Sequence, residues 1–78
     1  MKELIEYIAR SLVDDPTEVT VVQERRGTQY VLKLHVAKED MGRVIGKNGR
    51  IANAMRTLLR VSAAQEGKRA VLDIVEPS

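Results

Sequence analysis

The stretch of this sequence best suited to chemistry is a short loop that contains two glycines and lies between apolar residues. It reads Val44-Ile45-Gly46-Lys47-Asn48-Gly49-Arg50-Ile51. Gly46 and Gly49 lack Cβ atoms, so an anionic chain can approach the backbone N–H groups that open a following helix. Lys47 and Arg50 add positive charge, and Asn48 tolerates a left-handed backbone conformation. The loop therefore suits a chain of phosphates better than a single small anion.

Three known glycine loops compete for this pattern. A P-loop needs four residues between its first two glycines, but only three separate Gly42 from Gly46, and Asn48 replaces the magnesium-binding hydroxyl. A dinucleotide-binding fingerprint needs a third glycine where Val44 stands, directly after a strand. The remaining motif is the GXXG loop of KH domains, which clamps about four backbone nucleotides. Within the frame Gly42 to Ile51, the pattern favours this third interpretation.

Positive charge is concentrated around the same loop. The window from 41 to 65 contains five basic residues and no acidic residue, namely Arg43, Lys47, Arg50, Arg56 and Arg60. The whole 78-residue chain has a formal net charge of only +2, so the remainder is slightly acidic. This localisation predicts an anionic partner at the window. Arg56 and Arg60, further along the predicted helix, are expected to be solvated or bound to acids.

Composition excludes several other classes of site. The chain has no cysteine and a single histidine, His35, so thiol catalysis, disulfides and Cys- or His-based metal clusters are excluded. Two tyrosines are the only aromatic residues, which argues against a module that binds nucleic acid by aromatic stacking. We expect no cofactor and no metal. The charged N-terminus and the lack of a long apolar run predict a cytoplasmic domain with no membrane insertion.

The elements that must position the loop follow from hydrophobic periodicity. The first half predicts a helix from about Lys2 to Val13, ended by Asp14-Asp15-Pro16. A hairpin follows, with strands over 18–24 and 28–37. The second half predicts a helical turn over 41–45, a helix from about Arg50 to Gln65 and a strand over 70–75. The order is α-β-β-α-α-β in a single domain that spans residues 1–78.

With these elements in place, the sequence resembles the type II KH domain. Within that group it is similar to the small stand-alone bacterial KH proteins of the KhpA (YlqC) family. The resemblance covers essentially the whole chain and is carried by GRVIGKNGRI and by the final strand Val71-Leu72-Asp73-Ile74. It implies an α+β fold in which helices cover one face of a three-stranded mixed sheet.

The resemblance also implies a function. The family binds single-stranded RNA as an RNA chaperone, forms dimers and pairs with a KhpB (Jag)-type KH protein in post-transcriptional control linked to cell elongation and envelope homeostasis. By analogy the last strand forms the wall of the groove opposite the loop, and Val44, Ile45 and Ile51 form its apolar floor. The expected RNA-binding residues are Arg43, Val44, Ile45, Gly46, Lys47, Asn48, Gly49, Arg50, Ile51, Lys68 and Arg69.

The helix after the loop has an apolar arc that is wider than packing on one small sheet requires. One edge of this arc, formed by Ala54, Leu58 and Val61, is the expected contact between two subunits in a homodimer. The alternative function is therefore a protein-interaction module in which RNA binding is secondary. A small enzyme is disfavoured because the loop has no acid–base pair beside it.

Overall fold

The order of elements expected from the sequence is confirmed by the computed structural model, which describes residues 1–77. Its helices and strands are α1 (Lys2–Leu12), β1 (Thr20–Arg26), β2 (Gln29–His35), α2 (Met41–Ile45), α3 (Arg50–Gln65) and β3 (Arg69–Ile74). A 3-10 turn, Lys47–Gly49, lies between α2 and α3. The glycine loop therefore joins two helices, as predicted.

The three strands form one mixed sheet in the order β1-β2-β3. Strand β1 is antiparallel to β2 across the hairpin, and β3 is parallel to β2. A parallel pair needs a long crossover, which α2, the glycine loop and α3 provide. Consequently β3 lies at one edge of the sheet, and α3 runs back from the loop to the hairpin end where β3 begins.

The core lies between the sheet and the two longer helices. Each of these elements contributes fully buried side chains, among them Ile5 and Ala9 of α1, Leu32 and Leu34 of β2, and Met55 and Leu59 of α3. Burying one such aliphatic side chain contributes about 1.5–3 kcal/mol. The helices therefore cover one face of the sheet, as the type II KH resemblance implies.

The ends of several elements differ from the sequence prediction. Strand β1 begins at Thr20 rather than residue 18, because Pro16–Glu18 form a 3-10 turn. It also continues to Arg26, so the hairpin turn is shorter than predicted. Helix α3 ends at Gln65, where Gly67 adopts a φ of 72° and the Lys68 N–H donates to the Ala63 carbonyl over 2.9 Å. This Schellman closure directs the chain at once into β3.

Candidate nucleic-acid interface

Three residues of the glycine loop have a positive φ angle, which glycine and asparagine adopt more readily than other residues. Gly46 has a φ of 75°, Asn48 a φ of 58° and Gly49 a φ of 73°. The Gly49 N–H donates to the Gly46 carbonyl over 3.1 Å, which closes the turn. The N–H groups of Lys47 and Asn48 precede this first hydrogen bond, as they do at the start of any helix. They are the backbone donors that the loop offers to an anion.

The two glycines are required for different reasons. A Cβ built on Gly46 would lie 2.7 Å from Cγ1 of Ile51, so this glycine makes room for the first turn of α3. A Cβ on Gly49 would meet only Nδ2 of Asn53, at 3.9 Å, so that side of the loop is open. Gly46 thus serves packing as well as conformation, whereas Gly49 leaves free space beside the loop.

The side chains of the loop divide between solvent and core. Lys47, Asn48 and Arg50 are exposed, and Ile45 and Ile51 are half-buried, so these five are available to a ligand. Val44 was expected in the apolar floor of the groove, but its side chain is completely buried in the core. It points inward because it lies on the inner face of α2. The floor is therefore limited to Ile45 and Ile51, and Val44 supports α2 from beneath.

Arg43, another expected RNA contact, is paired with two carboxylates. Its guanidinium donates to Oδ2 of Asp14 over 3.0 Å and lies 3.5 Å from Oδ1 of Asp40. These contacts direct the Arg43 side chain toward the end of α1, where its charge is paired with carboxylates. The pairing disfavours the phosphate contact that the sequence suggested.

Asp40 holds α2 in place. It is the one buried charged residue among residues 1–77, with 2% of its surface exposed. Its two carboxylate oxygens accept hydrogen bonds from the backbone N–H groups of Asp14 and Asp15, each over 3.1 Å. A carboxylate satisfied in this way fixes the residues before α2 to the turn after α1. It thereby sets where the loop leaves the core.

A groove lies between α3 and the edge strand β3. It encloses about 340 Å³ and is lined by Arg56, Arg60 and the stretch from Ala70 to Leu72. Cavities of roughly 300 Å³ and above are the size that small-molecule groups occupy. The wall opposite α3 in this groove is the final strand; that this wall contacts RNA stays a prediction.

Arg56 and Arg60 are expected from the sequence to be solvated or bound to acids; both are exposed, and both also line this groove. Nε of Arg56 donates to the Leu72 carbonyl over 3.4 Å, and its Nη1 donates to the side chain of Asn53. The sequence signal that could have found them is their spacing of four residues, which puts both on one face of α3.

The free edge of β3 faces this groove. The Val75 N–H donates to the Leu34 carbonyl of β2, so the odd-numbered residues of β3 point their backbone groups into the sheet. The backbone groups of Ala70 and Leu72 consequently point outward, which agrees with the contact from Arg56 to the Leu72 carbonyl. An unpaired strand edge presents N–H and C=O groups to any ligand in the groove.

Lys68 and Arg69 lie at the far end of the groove and are exposed. Helix α3, with 16 residues, separates them from the glycine loop by about 24 Å along its axis. Lys68 reaches back over the sheet, and its Nζ lies 5.3 Å from the centre of the Tyr30 ring. The expected site residues therefore form two groups at opposite ends of α3, and the groove lined by Arg56 and Arg60 lies along α3 between them.

Acidic partners divide the basic residues into two sets. The side chains in ion pairs are Arg10, Arg26, Lys33 and Arg43, all outside the groove. Within residues 1–77, no acidic group lies within ion-pair distance of the six cations along the loop and groove, namely Lys47, Arg50, Arg56, Arg60, Lys68 and Arg69. Lys2, Arg25 and Lys38 likewise have no ion-pair partner in this range, so six of the nine unpaired basic side chains lie along the loop and groove.

On the face of the sheet that the helices leave uncovered, Glu24 contacts two cations that change its pKa. Lys33 lies 3.4 Å from the carboxylate of Glu24, and Arg26 lies 3.2 Å from it. The positive charge of Lys33, followed by hydrogen bonds from Lys33 and Arg26, lowers the pKa of Glu24 below its usual value. These cations serve the hairpin, and they face away from α3.

Residues 1–77 contain neither a metal-binding cluster nor a membrane-spanning helix. The structure brings together no group of three or more His, Cys, Asp or Glu side chains that could hold a metal ion. No helix in the same range is long and apolar enough to cross a membrane. The three side chains predicted to form a subunit contact are exposed: Ala54 is exposed, and Leu58 and Val61 are 49% and 51% exposed.

Comparison with known proteins matches this arrangement to one family. The family model described as "KhpA/KhpB, KH domain" matches residues 2–74. The chain is 52% identical to the RNA-binding protein KhpA of Clostridium acetobutylicum over 75 residues, which cover 96% of this chain and 100% of that protein. It is 53% identical to RNA-binding protein KhpA of Treponema pallidum over 75 residues (96% and 94%), and 49% identical to that of Listeria monocytogenes over 76 residues (97% and 100%). No solved structure gave a significant match. The chain belongs to the KhpA/KhpB KH-domain family.

Proposed function

We propose that this protein binds single-stranded RNA without catalysing a reaction. The observation that carries the proposal is the track of unpaired cations, which begins at the GXXG loop and follows α3 to the start of β3. The names of its relatives, RNA-binding protein KhpA, support the same ligand. Lys47 and Arg50 hold phosphates beside the open side of Gly49, and Ile45 and Ile51 provide the apolar contact for bases.

The groove between α3 and β3 takes the bases that follow. Arg56 and Arg60 supply donors from one wall, and the outward N–H groups of Ala70 and Leu72 together with the Ala70 carbonyl supply donors and an acceptor from the other. This mode needs no run of aromatic rings, which is consistent with a chain that has only two. Lys68 and Arg69 bind phosphates at the exit.

The test of this function reverses the charge of the loop while sparing its glycines. A Gly46→Asp change is unsuitable because the new Cβ would collide with Ile51 and disturb the fold. Lys47→Asp combined with Arg50→Asp alters two exposed side chains and leaves the packing intact. The matched control is Lys2→Asp with Arg10→Asp on α1, which changes the net charge equally but away from the groove.

Fluorescence anisotropy with a labelled, unstructured ten-nucleotide RNA measures the outcome. We expect the loop variant to lose at least about 100-fold in affinity, because charge-assisted hydrogen bonds contribute about 1.5–3 kcal/mol each. The control is expected to remain within threefold of the wild type, and both variants are expected to melt cooperatively. Equal losses in the two variants, or no RNA binding by the wild type, would contradict the proposal.

The protein is further proposed to act in the cytoplasm as a dimer, with Ala54, Leu58 and Val61 of α3 as the contact. Two exposed apolar side chains on adjacent turns of one helix support this surface. Two groove sites joined in this way would gain avidity on one RNA. The resemblance to the family supports a role as an RNA chaperone, and a heteromer with a KhpB (Jag)-type partner in control of cell elongation and envelope homeostasis.

Sedimentation equilibrium tests the dimer contact. The wild type is expected at twice the chain mass of 8.7 kDa, and Leu58→Glu at the mass of one chain. Val22→Glu is the matched control, since Val22 is 40% exposed on the uncovered face of the sheet. A Leu58→Glu protein that keeps the dimer mass would place the contact elsewhere.

A further inference from the structure

A cluster at the hairpin end of the sheet lies just beyond the groove. Arg25 of β1 pairs with Tyr30 of β2, and Tyr30 pairs with Ala70 of β3, so the three residues form one row across the sheet. Ala70 also lines the groove together with Arg60. The row therefore continues the wall of the groove toward the hairpin. We name Arg25, Tyr30 and Lys68 the hairpin corner.

Lys68 connects the hairpin corner to the track of unpaired cations. Its ammonium group lies 5.3 Å from the centre of the half-buried Tyr30 ring, which is a cation–π distance. Such a contact is worth only about 0.5–1 kcal/mol near a surface, so Lys68 is free to exchange it for a phosphate. The ring it covers is one of only two aromatic side chains in the chain.

Charge at the hairpin corner is not neutralised by the protein itself. Among residues 1–77, neither Arg25 nor Lys68 lies within ion-pair distance of an acidic group, and Arg25 donates only to the Gly27 carbonyl, over 3.1 Å. The acids nearest in sequence are engaged elsewhere: Glu24 lies on the opposite face of the sheet with Lys33 and Arg26, and Glu66 lies 3.8 Å from the N-terminal ammonium group. An anion at the corner therefore meets two cations that have no carboxylate in ion-pair contact.

We infer that the hairpin corner is a second nucleotide-binding site for the same strand of RNA. Arg25 and Lys68 bind a phosphate, and the base that belongs to it stacks on the Tyr30 ring once Lys68 has moved aside. The inference rests on the proposed function, because the strand reaches the corner only by way of the loop and groove. It extends the footprint past the four nucleotides that a GXXG loop clamps.

RNAs of four, six, eight and ten nucleotides with one repeated base test the inference. Wild-type affinity is expected to rise with length beyond four nucleotides, and about tenfold of that rise depends on the corner, since base–aromatic stacking contributes about 1–3 kcal/mol. Arg25→Gln, and separately Tyr30→Leu, are expected to remove that part while leaving affinity for the four-nucleotide RNA unchanged. Lys2→Gln is the charge-matched control for Arg25→Gln.

Ring-proton NMR reports on stacking directly and carries its own control. The ring signals of Tyr30 are expected to shift upfield with RNAs of six or more nucleotides, while those of Tyr7 stay in place, because Tyr7 is 74% exposed on α1. This reading does not depend on a variant that must fold.

The outcomes separate the two proposals. A wild type that binds none of the RNAs overturns the proposed function and the hairpin corner together. A wild type that binds the four-nucleotide RNA, but shows no loss in the corner variants and no shift at Tyr30, overturns the hairpin corner alone.

Discussion

Two arginines on neighbouring helices show how the same residue type takes different parts in this protein. Arg43 of α2 lies against Asp14 and Asp40, and its charge is neutralised within the fold. Arg60 of α3 lines the groove without an acidic partner within residues 1–77. Arg43 therefore serves the junction between α1 and α2, and Arg60 is free for an anionic ligand.

The difference shows that position relative to acids decides which cations are available to bind. A cation that already contacts a carboxylate gains little from a phosphate, since it must first give up its partner. A solvated cation releases counterions when it meets a phosphate, and this release favours binding.

Asp40, the buried acid that contacts Arg43, is expected to affect stability strongly and RNA binding only slightly. Asp40→Ala removes the acceptor for the N–H groups of Asp14 and Asp15 and leaves Arg43 with one partner. Hydrogen bonds to a charged group contribute about 1.5–3 kcal/mol each, so we expect a loss of about 3 kcal/mol in the free energy of unfolding. Urea denaturation measures it.

Asp73→Ala, an exposed acid of β3, is the control for this change and is expected to stay within about 0.5 kcal/mol of the wild type. RNA affinity per folded Asp40→Ala molecule is expected to remain within threefold. A protein that keeps its stability but loses RNA binding would show that Asp40 acts on the ligand and would break the comparison.

Salt dependence distinguishes the two arginines directly. Six groove cations that each contact a phosphate of single-stranded RNA give a slope of about −4 for log K against log salt. Arg60→Gln is expected to make that slope less steep by about 0.7 and to reduce affinity about fivefold at 0.1 M salt. Arg43→Gln is expected to leave the slope unchanged, because its cation is paired with Asp14 and Asp40. Equal slope changes in both variants would contradict the division into paired and free cations.

The smallest expected effect concerns the ion pair on the uncovered face of the sheet. Lys33 lowers the pKa of Glu24 in the folded protein, so the ionised carboxylate stabilises the fold above its ordinary pKa, and that stabilisation is lost as the pH falls through the lowered value. Glu24→Gln is therefore expected to be slightly less stable than the wild type at neutral pH and equal to it in acid. Thermal melts from pH 7 to pH 3 test this. A difference that persists in acid would assign the effect to packing.

Much of the fold followed from local pattern. The helical spacing of Ile5 and Ala9, the alternation of Leu32 and Leu34, and the glycine stop at Gly67 each specify one element through its own neighbours. Element ends were less well determined. The sequence pattern identifies Pro16 only as the end of a helix. In the structure it also begins a 3-10 turn, and β1 therefore starts only at Thr20.

The parts of the site that depend on backbone conformation were predictable from the sequence. The parts that depend on how side chains pack were not. Gly46, Asn48 and Gly49 have the positive φ angles that their types favour. Val44 was misplaced because an apolar residue beside a loop fits the core as well as a groove floor. Arg56 was missed because its partner, the Leu72 carbonyl, belongs to a strand sixteen residues away.

The sequence by itself determined the glycine loop, the order of elements and the concentration of positive charge between residues 41 and 65. Each depends on residue type and spacing along the chain. Only the tertiary structure decided which of those charges are free, because ion pairs join residues that are distant in sequence, as Arg43 and Asp14 are. It also placed Arg25, Tyr30 and Lys68 together through strand pairing, a contact that no local pattern encodes.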